Sequence, residues 1–141
     1  MHRAIYAVRP DIRAVVHGSP FYATLLACSG EDVPSGLFVE AMYYLERVAR
    51  VAYAHPGLAR LGELVGERAG KANLLLLENH GVLAYDTSLK EALLGLQTYE
   101  MTARMYVMAK SAGVELRELP LEVVRDFLDH SGYRPRREWP A

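Results

Sequence analysis

The sequence predicts an α/β fold, and three observations carry that expectation. Short apolar tracts at residues 14–17 and 73–78 alternate with helical patterns along the chain. The tracts at 73–78 and 82–85 lie too close together for a crossover, so that pair is antiparallel. Ser88 and Glu91 form a capping box ahead of the longest helical pattern.

Residues 1–8 read as a very short helix that Pro10 halts, with Arg9 pushed toward extended backbone by the proline after it. No capping residue precedes it, so the chain is expected to open in the last turns of something longer. Residues 14–17 are β-branched and apolar, and Gly18-Ser19-Pro20 ends them at His17. Ser19 suits a helix cap and Pro20 a first turn, which predicts a helix over 20–28 with Phe21, Thr24, Leu25 and Cys28 inward. Residues 29–36 have loop composition. Alternation over 47–53 predicts a strand that His55-Pro56-Gly57 breaks. Leu58, Leu61, Leu64 and Val65 have helical spacing to about Ala69, with Gly70 as the cap. The second buried strand follows at 73–78, a sharp turn at Asn79-His80-Gly81, and another strand at 82–85. The long helix runs to about Ala112 and closes at Gly113, its apolar side set by Leu89, Leu93, Leu96, Met101, Met105 and Met108. Pro120 opens a last helix over 121–130, with Val123, Val124, Phe127 and Leu128 inward. Residues 1–132 read as one domain, and the Arg- and Pro-rich stretch 133–141 as a mobile tail.

Composition narrows the function. A chain of 141 residues with 51% hydrophobic and 23% charged residues suits one ordinary globular domain. Sixteen Lys and Arg against 17 Asp and Glu leave a charge of -1, which gives no support to a nucleic-acid or anionic-membrane partner. The single cysteine, Cys28, excludes an internal disulfide and a Cys-based zinc knuckle, and reads as a small core residue. No apolar run approaches the ~20 residues of a membrane span, and the first residues lack a signal-peptide core. The expectation is a cytoplasmic protein with no membrane partner.

Five histidines are present, and two stand in unusual places. His17 ends a buried strand beside Gly18, and His80 sits at a tight turn beside Gly81. Strand ends are where α/β proteins display site residues, and a neutral imidazole there can bind zinc. Taken alone, each reads better as an imidazole that hydrogen-bonds a loop, and two distant histidines do not specify a metal site. His2, His55 and His130 read as surface or helix-end residues. Arg134, Arg136 and Arg137 could bind a phosphate, but a mobile charged tail is the better reading. The Met101, Met105 and Met108 stripe reads as core or interface.

Three segments together resemble the class II aldolase/adducin family. HRAIYAVRPDIRAVVHGSP is similar to its metal-site segment, H-x-x-(I/V)-Y, R-P-D, then A-V-x-H-x-H-(S/P). EAMYYLERVARVAYAHPGLARLGELV resembles its linking segment, E-x-x-Y-Y-L followed by Y-x-x-P-G-x-x-x-L. NLLLLENHGVLAYDTSLKEAL resembles its strand, N-H-G, strand and helix hallmark. The three occur in family order and cover most of residues 2–110.

The resemblance implies a three-layer α/β/α fold with a mostly antiparallel central sheet, N-terminally truncated here. It implies His17 and His80 as metal ligands, with Ser19 standing where the family has a second ligand histidine. A serine hydroxyl is a poor zinc ligand, so zinc is expected to be weak or absent unless His55, Glu40 or a neighbouring subunit adds a donor. The family's glycine-rich phosphate loop and its acidic ligand or base precede the matched segment and do not occur in these 141 residues. Tyr43 and Tyr44 match the tyrosine that protonates the leaving aldehyde across a subunit boundary; interface packing is their plainer reading. The implied function is a zinc-dependent aldehyde-lyase or epimerase acting on a small sugar phosphate, with an incomplete site. The alternatives are a non-catalytic, adducin-like assembly or binding module, and a half-enzyme completed by a separate N-terminal chain. A homo-oligomer, expected to be a tetramer, follows from sites that lie between subunits.

Overall fold

The computed structural model describes residues 1–139. In chain order it contains α1 (His2–Val8), β1 (Ala14–Gly18), α2 (Phe21–Ser29), α3 (Val39–Tyr44), β2 (Val48–Val51), α4 (Ala59–Ala69), β3 (Leu74–Leu77), β4 (Gly81–Asp86), α5 (Leu89–Ala112) and α6 (Leu121–His130). The strand order is β1-β4-β3-β2. β4 runs antiparallel to both β1 and β3, whereas β2 runs parallel to β3. The sheet is therefore mixed, which corrects the expectation of a mostly antiparallel one. The cause is α4, a helical crossover between β2 and β3 that returns the chain to the end where β2 began.

The four leucines of β3 show how three layers form. Successive side chains on a strand point to opposite faces. Leu75 and Leu77 join Ile5, Val51, Val65 and Leu83 under α1 and α4. Leu74 and Leu76 join Leu26, Tyr44, Val82 and Tyr99 under α2, α3 and α5. A strand buried on both faces has no use for polar alternation, so the unbroken leucine run is what its place demands.

α5 begins with half of the expected capping box, Ser88 Oγ accepting from the Glu91 N–H at 3.2 Å while the Glu91 carboxylate turns to Tyr44 and Arg134, and ends at Gly113 in the left-handed region at φ 66°. Its buried side is not the one expected. Leu89, Leu93, Met101, Met105 and Met108 are exposed, while Ala92, Gly95, Thr98, Tyr99, Thr102 and Ala103 face the sheet. Small residues let the helix lie close on β1 and β4; a Cβ at Gly95 would stand 3.7 Å from the Tyr44 ring. α2 is likewise turned, with Ala23, Leu26 and Ala27 inward and Phe21, Leu25 and Cys28 outward, so Cys28 is a surface residue rather than a core one. α3 was not expected at all. It is six residues long, has no side-chain cap, and is held by burial of Ala41, Met42 and Tyr44. On α6 only Val124 is fully buried, and Val123 is exposed.

Residues 133–139 of the expected tail lie against α3, the end of β4 and α5, through Tyr43, Asp86 and Glu91. Residues 140 and 141 of that stretch fall outside the described residues. Among the described residues, no helix is long and apolar enough to cross a membrane.

Candidate functional site

The β1–β4 register sets His17 opposite Leu83 and Gly18 opposite Val82, so the β3–β4 turn lies beside the end of β1. The His17 and His80 rings meet there edge to face, 4.9 Å between centroids. His17 Nδ1 is 3.0 Å from the Val82 carbonyl oxygen, which can only accept. That assigns the proton to Nδ1 and leaves Nε2 with a free lone pair, as a metal or proton acceptor requires. His80 Nδ1 is buried, with no hydrogen-bond partner among the described residues. Burial, with a smaller effect from His17, lowers the His80 pKa, so its imidazole is neutral near pH 7. His2, at the start of α1, is lowered by burial, the terminal amine and His17, so the N-terminal helix begins within reach of this pair.

The turn geometry is fixed by backbone needs. Asn79 adopts φ 54° and Gly81 φ 152°. A Cβ on Gly81 would stand 2.6 Å from the Gly18 carbonyl oxygen and 2.9 Å from Ser19 Oγ, so only glycine fits. Ser19 does not cap α2. Its hydroxyl donates to the His80 carbonyl at 3.3 Å and braces the turn. The cap of α2 comes instead from α5: Glu100 accepts from the backbone N–H groups of Tyr22, at 3.0 Å, and Ala23, at 2.7 Å. This anchors the segment immediately after Ser19. Sequence reasoning missed Glu100 because its partners lie 77 and 78 positions away and no local pattern marks it.

Two imidazoles suit zinc in their chemistry, but a catalytic zinc takes three protein ligands. Among the described residues no group of three or more His, Cys, Asp or Glu converges to hold a metal. His55 binds the Tyr53 hydroxyl through Nδ1 at 2.9 Å, and Glu40 lies beside the Tyr133 hydroxyl; neither joins the pair. These residues therefore supply two of the three protein ligands that a catalytic zinc takes.

The two tyrosines stand elsewhere. The Tyr44 carbonyl accepts from Asn73 Nδ2 at 2.6 Å, just ahead of β3, and its hydroxyl donates to Glu91 Oε2 at 2.8 Å. Tyr43 packs edge to face on Tyr44 and donates to the Pro135 carbonyl at 3.2 Å. These contacts lie at the Asp86 end of β4, whereas His80 adjoins the Gly81 end. Six strand residues separate the two, roughly 17 Å at about 3.3 Å per step. One chain therefore does not bring its tyrosines to its histidines. Burial raises both tyrosine pKa values, and the bond to Glu91 raises that of Tyr44 further, so both stay protonated.

An α/β/α protein with two imidazoles meeting at a glycine turn between antiparallel strands is the class these features define. The profile of the family described as Class II Aldolase and Adducin N-terminal domain matches residues 1–107, and the chain belongs to that family. A 3-oxo-tetronate 4-phosphate decarboxylase of Haemophilus influenzae is 30% identical over 130 residues, covering 89% of this chain and 61% of that protein. The L-fuculose phosphate aldolase of Escherichia coli is 28% identical over 106 residues, covering 75% of this chain and 49% of that enzyme. Among solved structures, an aldolase II superfamily protein from Pseudomonas syringae superposes with a TM-score of 0.75 at 27% identity, covering 95% of this chain and 54% of that one. An L-fuculose 1-phosphate aldolase superposes with a TM-score of 0.70 at 29% identity, covering 86% and 58%. The chain spans about half to three-fifths of the length of the curated relatives it matches.

Proposed function

We propose that this chain carries the histidine half of a class II aldolase-type site, of the aldehyde-lyase or epimerase kind, for a small sugar phosphate. The observation that carries the reading is the meeting of His17 and His80 at 4.9 Å, with His17 Nε2 left free by the bond of Nδ1 to Val82. Zinc would be held by these two imidazoles and by a donor from another segment or subunit. When bound, it would act as a Lewis acid on the substrate's hydroxyl and carbonyl oxygens. Tyr43 or Tyr44, at the opposite end of β4 from the histidines of its own chain, would serve a neighbouring subunit as proton donor. That arrangement calls for a homo-oligomer, and we read it as a cytoplasmic tetramer in which 1–132 is the domain.

Ser19 favours a second reading. It occupies the place of a ligand histidine and is engaged in bracing the His80 turn, as it would be in a module kept for binding or assembly, or in a half-enzyme that needs a separate N-terminal chain.

Metal analysis separates the readings. The purified chain should retain little zinc after dialysis, and Ser19→His should retain more. Stoichiometric zinc in the unaltered chain would contradict the incomplete site. No gain in the variant would remove His17 and His80 as converging ligands. The isolated chain should turn over fuculose 1-phosphate poorly; robust cleavage abolished by His80→Ala would exclude the non-catalytic reading.

A further inference from the structure

Residues 133–139 cross the Asp86 end of β4 beside Tyr43 of α3, and their three arginines reach carboxylates on α5, on β4 and in the loop after α3, with Arg136 also pairing with Asp129 of α6 at 2.9 Å. Arg134 pairs with Glu91 of α5 at 2.9 Å, Arg137 with Asp86 of β4 at 2.7 Å, and Arg136 with Glu46 after α3. Trp139 donates from Nε1 to Glu46 at 3.3 Å and lies under the Arg47 guanidinium, 4.3 Å from the ring centre. Arg137 also lies over the Tyr43 ring at 4.1 Å, and the Tyr43 hydroxyl donates to the Pro135 carbonyl. Beneath the segment is a cavity of about 430 Å³ whose walls include Arg9, Tyr85 and Asn73. The segment thus spans a void and is held at points by charge and ring contacts, while Tyr133, Pro135, Arg136 and Glu138 remain exposed. Attachments of that kind open locally without unfolding the core, and salt weakens those of Arg134 and Arg136, whose side chains are about a third exposed, more than the nearly buried Arg137–Asp86 pair.

We propose that residues 133–139 form a releasable electrostatic strap that occludes Tyr43, docked while the arginine–carboxylate pairs hold and lifted when they are screened or removed. Its meaning for catalysis rests on the reading of Tyr43 as a proton donor for a neighbouring subunit. In the docked state the hydroxyl proton is committed to Pro135 and a cation covers the ring, so Tyr43 is withheld. The strap itself does not depend on that reading.

Trp139 is the sole tryptophan, so fluorescence of the full chain reports the strap directly. At low ionic strength its emission should be shielded from acrylamide. Raising NaCl toward 1 M, which shortens the screening length from about 10 Å at 0.1 M to about 3 Å, should shift the emission to the red. The quenching constant should at least about double on release. Arg137→Ala should show the released signal already at low salt, with circular dichroism confirming that it folds. If the variant does not fold, the salt titration of the unaltered chain stands alone as the test. Nitration of Tyr43 by tetranitromethane, mapped by mass spectrometry, should rise together with the Trp139 signal. Trp139 quenched like a free side chain at low salt, or shielded under every condition, would overturn the strap. A strap that releases while Tyr43→Phe leaves any measured turnover unchanged overturns only the catalytic reading of Tyr43.

Discussion

Glu100 supplies from α5 the cap that the sequence of α2 lacks, through two backbone N–H bonds at 3.0 and 2.7 Å. Glu100→Ala should cost about 1–2 kcal/mol, the range for a lost helix cap, read as a lower urea midpoint. Glu100→Gln keeps an acceptor oxygen and should cost less. Arg9 is nearly as buried as the core, donating to Asp11 at 2.8 and 2.7 Å and to the Ala72 carbonyl at 2.9 Å. The bonds from Arg9 hold the Asp11 carboxyl below its ordinary value of 3.8. A depressed carboxylate pKa contributes stability that is present above the unfolded value and lost as pH falls through the folded one. Asp11→Asn should therefore lower stability at pH 7, by about 1–2 kcal/mol once the solvent exposure of Asp11 is allowed for, and flatten the loss below about pH 4. A denaturation series at pH 7 and pH 3 checks both effects. Gly81→Ala must push against the Gly18 carbonyl at 2.6 Å while holding φ 152°, so a cost of about 2–4 kcal/mol and a displaced His17–His80 pair are expected, read as a lower Tm and altered histidine ring resonances.

At the level of elements, Ser88→Ala should lower stability by about 1 kcal/mol, because its hydroxyl is the one side-chain cap at the start of α5. The capping box was legible because its two residues lie three apart and meet within one turn. The same locality made the leucine strand, the Asn79-His80-Gly81 turn and the Gly113 stop readable, and with them the positions of both histidines. What the sequence concealed is non-local. The buried side of α5 is built of Ala, Gly and Thr, chosen for close approach to the sheet, so hydrophobicity pointed to the wrong face. α3 escaped notice because six residues ending in two tyrosines carry no cap and too little periodicity. The parallel direction of β2 depends on where α4 returns the chain, and no residue of β2 records that. Of the candidate site, the resemblance paired His17 with His80; the distance of Tyr43 and Tyr44 from them, along the length of β4, emerged only from the sheet register.

For the whole molecule the decisive feature is the apolar surface that one chain leaves uncovered. Met101, Met105 and Met108 are 51%, 37% and 52% exposed, Leu89 and Leu93 extend the stripe along α5, and Phe21 on the adjoining α2 is 71% exposed. Met and Phe are enriched at the cores of interfaces, and a stable contact buries roughly 800 Å² on each partner, a scale that a helix of 24 residues can furnish. The tyrosines contribute less to such a surface than their side-chain types suggest. Tyr44 is 2% exposed and packs within its own subunit, so Tyr44→Ala would disturb the core as well as any contact, whereas α5 can be altered from outside. Closed symmetry is the usual way identical chains cover such a face, and the proposed site, which would take a neighbour's tyrosine, would require it. Light scattering at micromolar concentration should give the mass of a tetramer, and Met101→Glu with Met108→Glu should reduce it to smaller species that keep their circular dichroism. A monomer mass for the unaltered chain would remove the shared-site arrangement, and an assembly unmoved by the two charges would place the interface on another face.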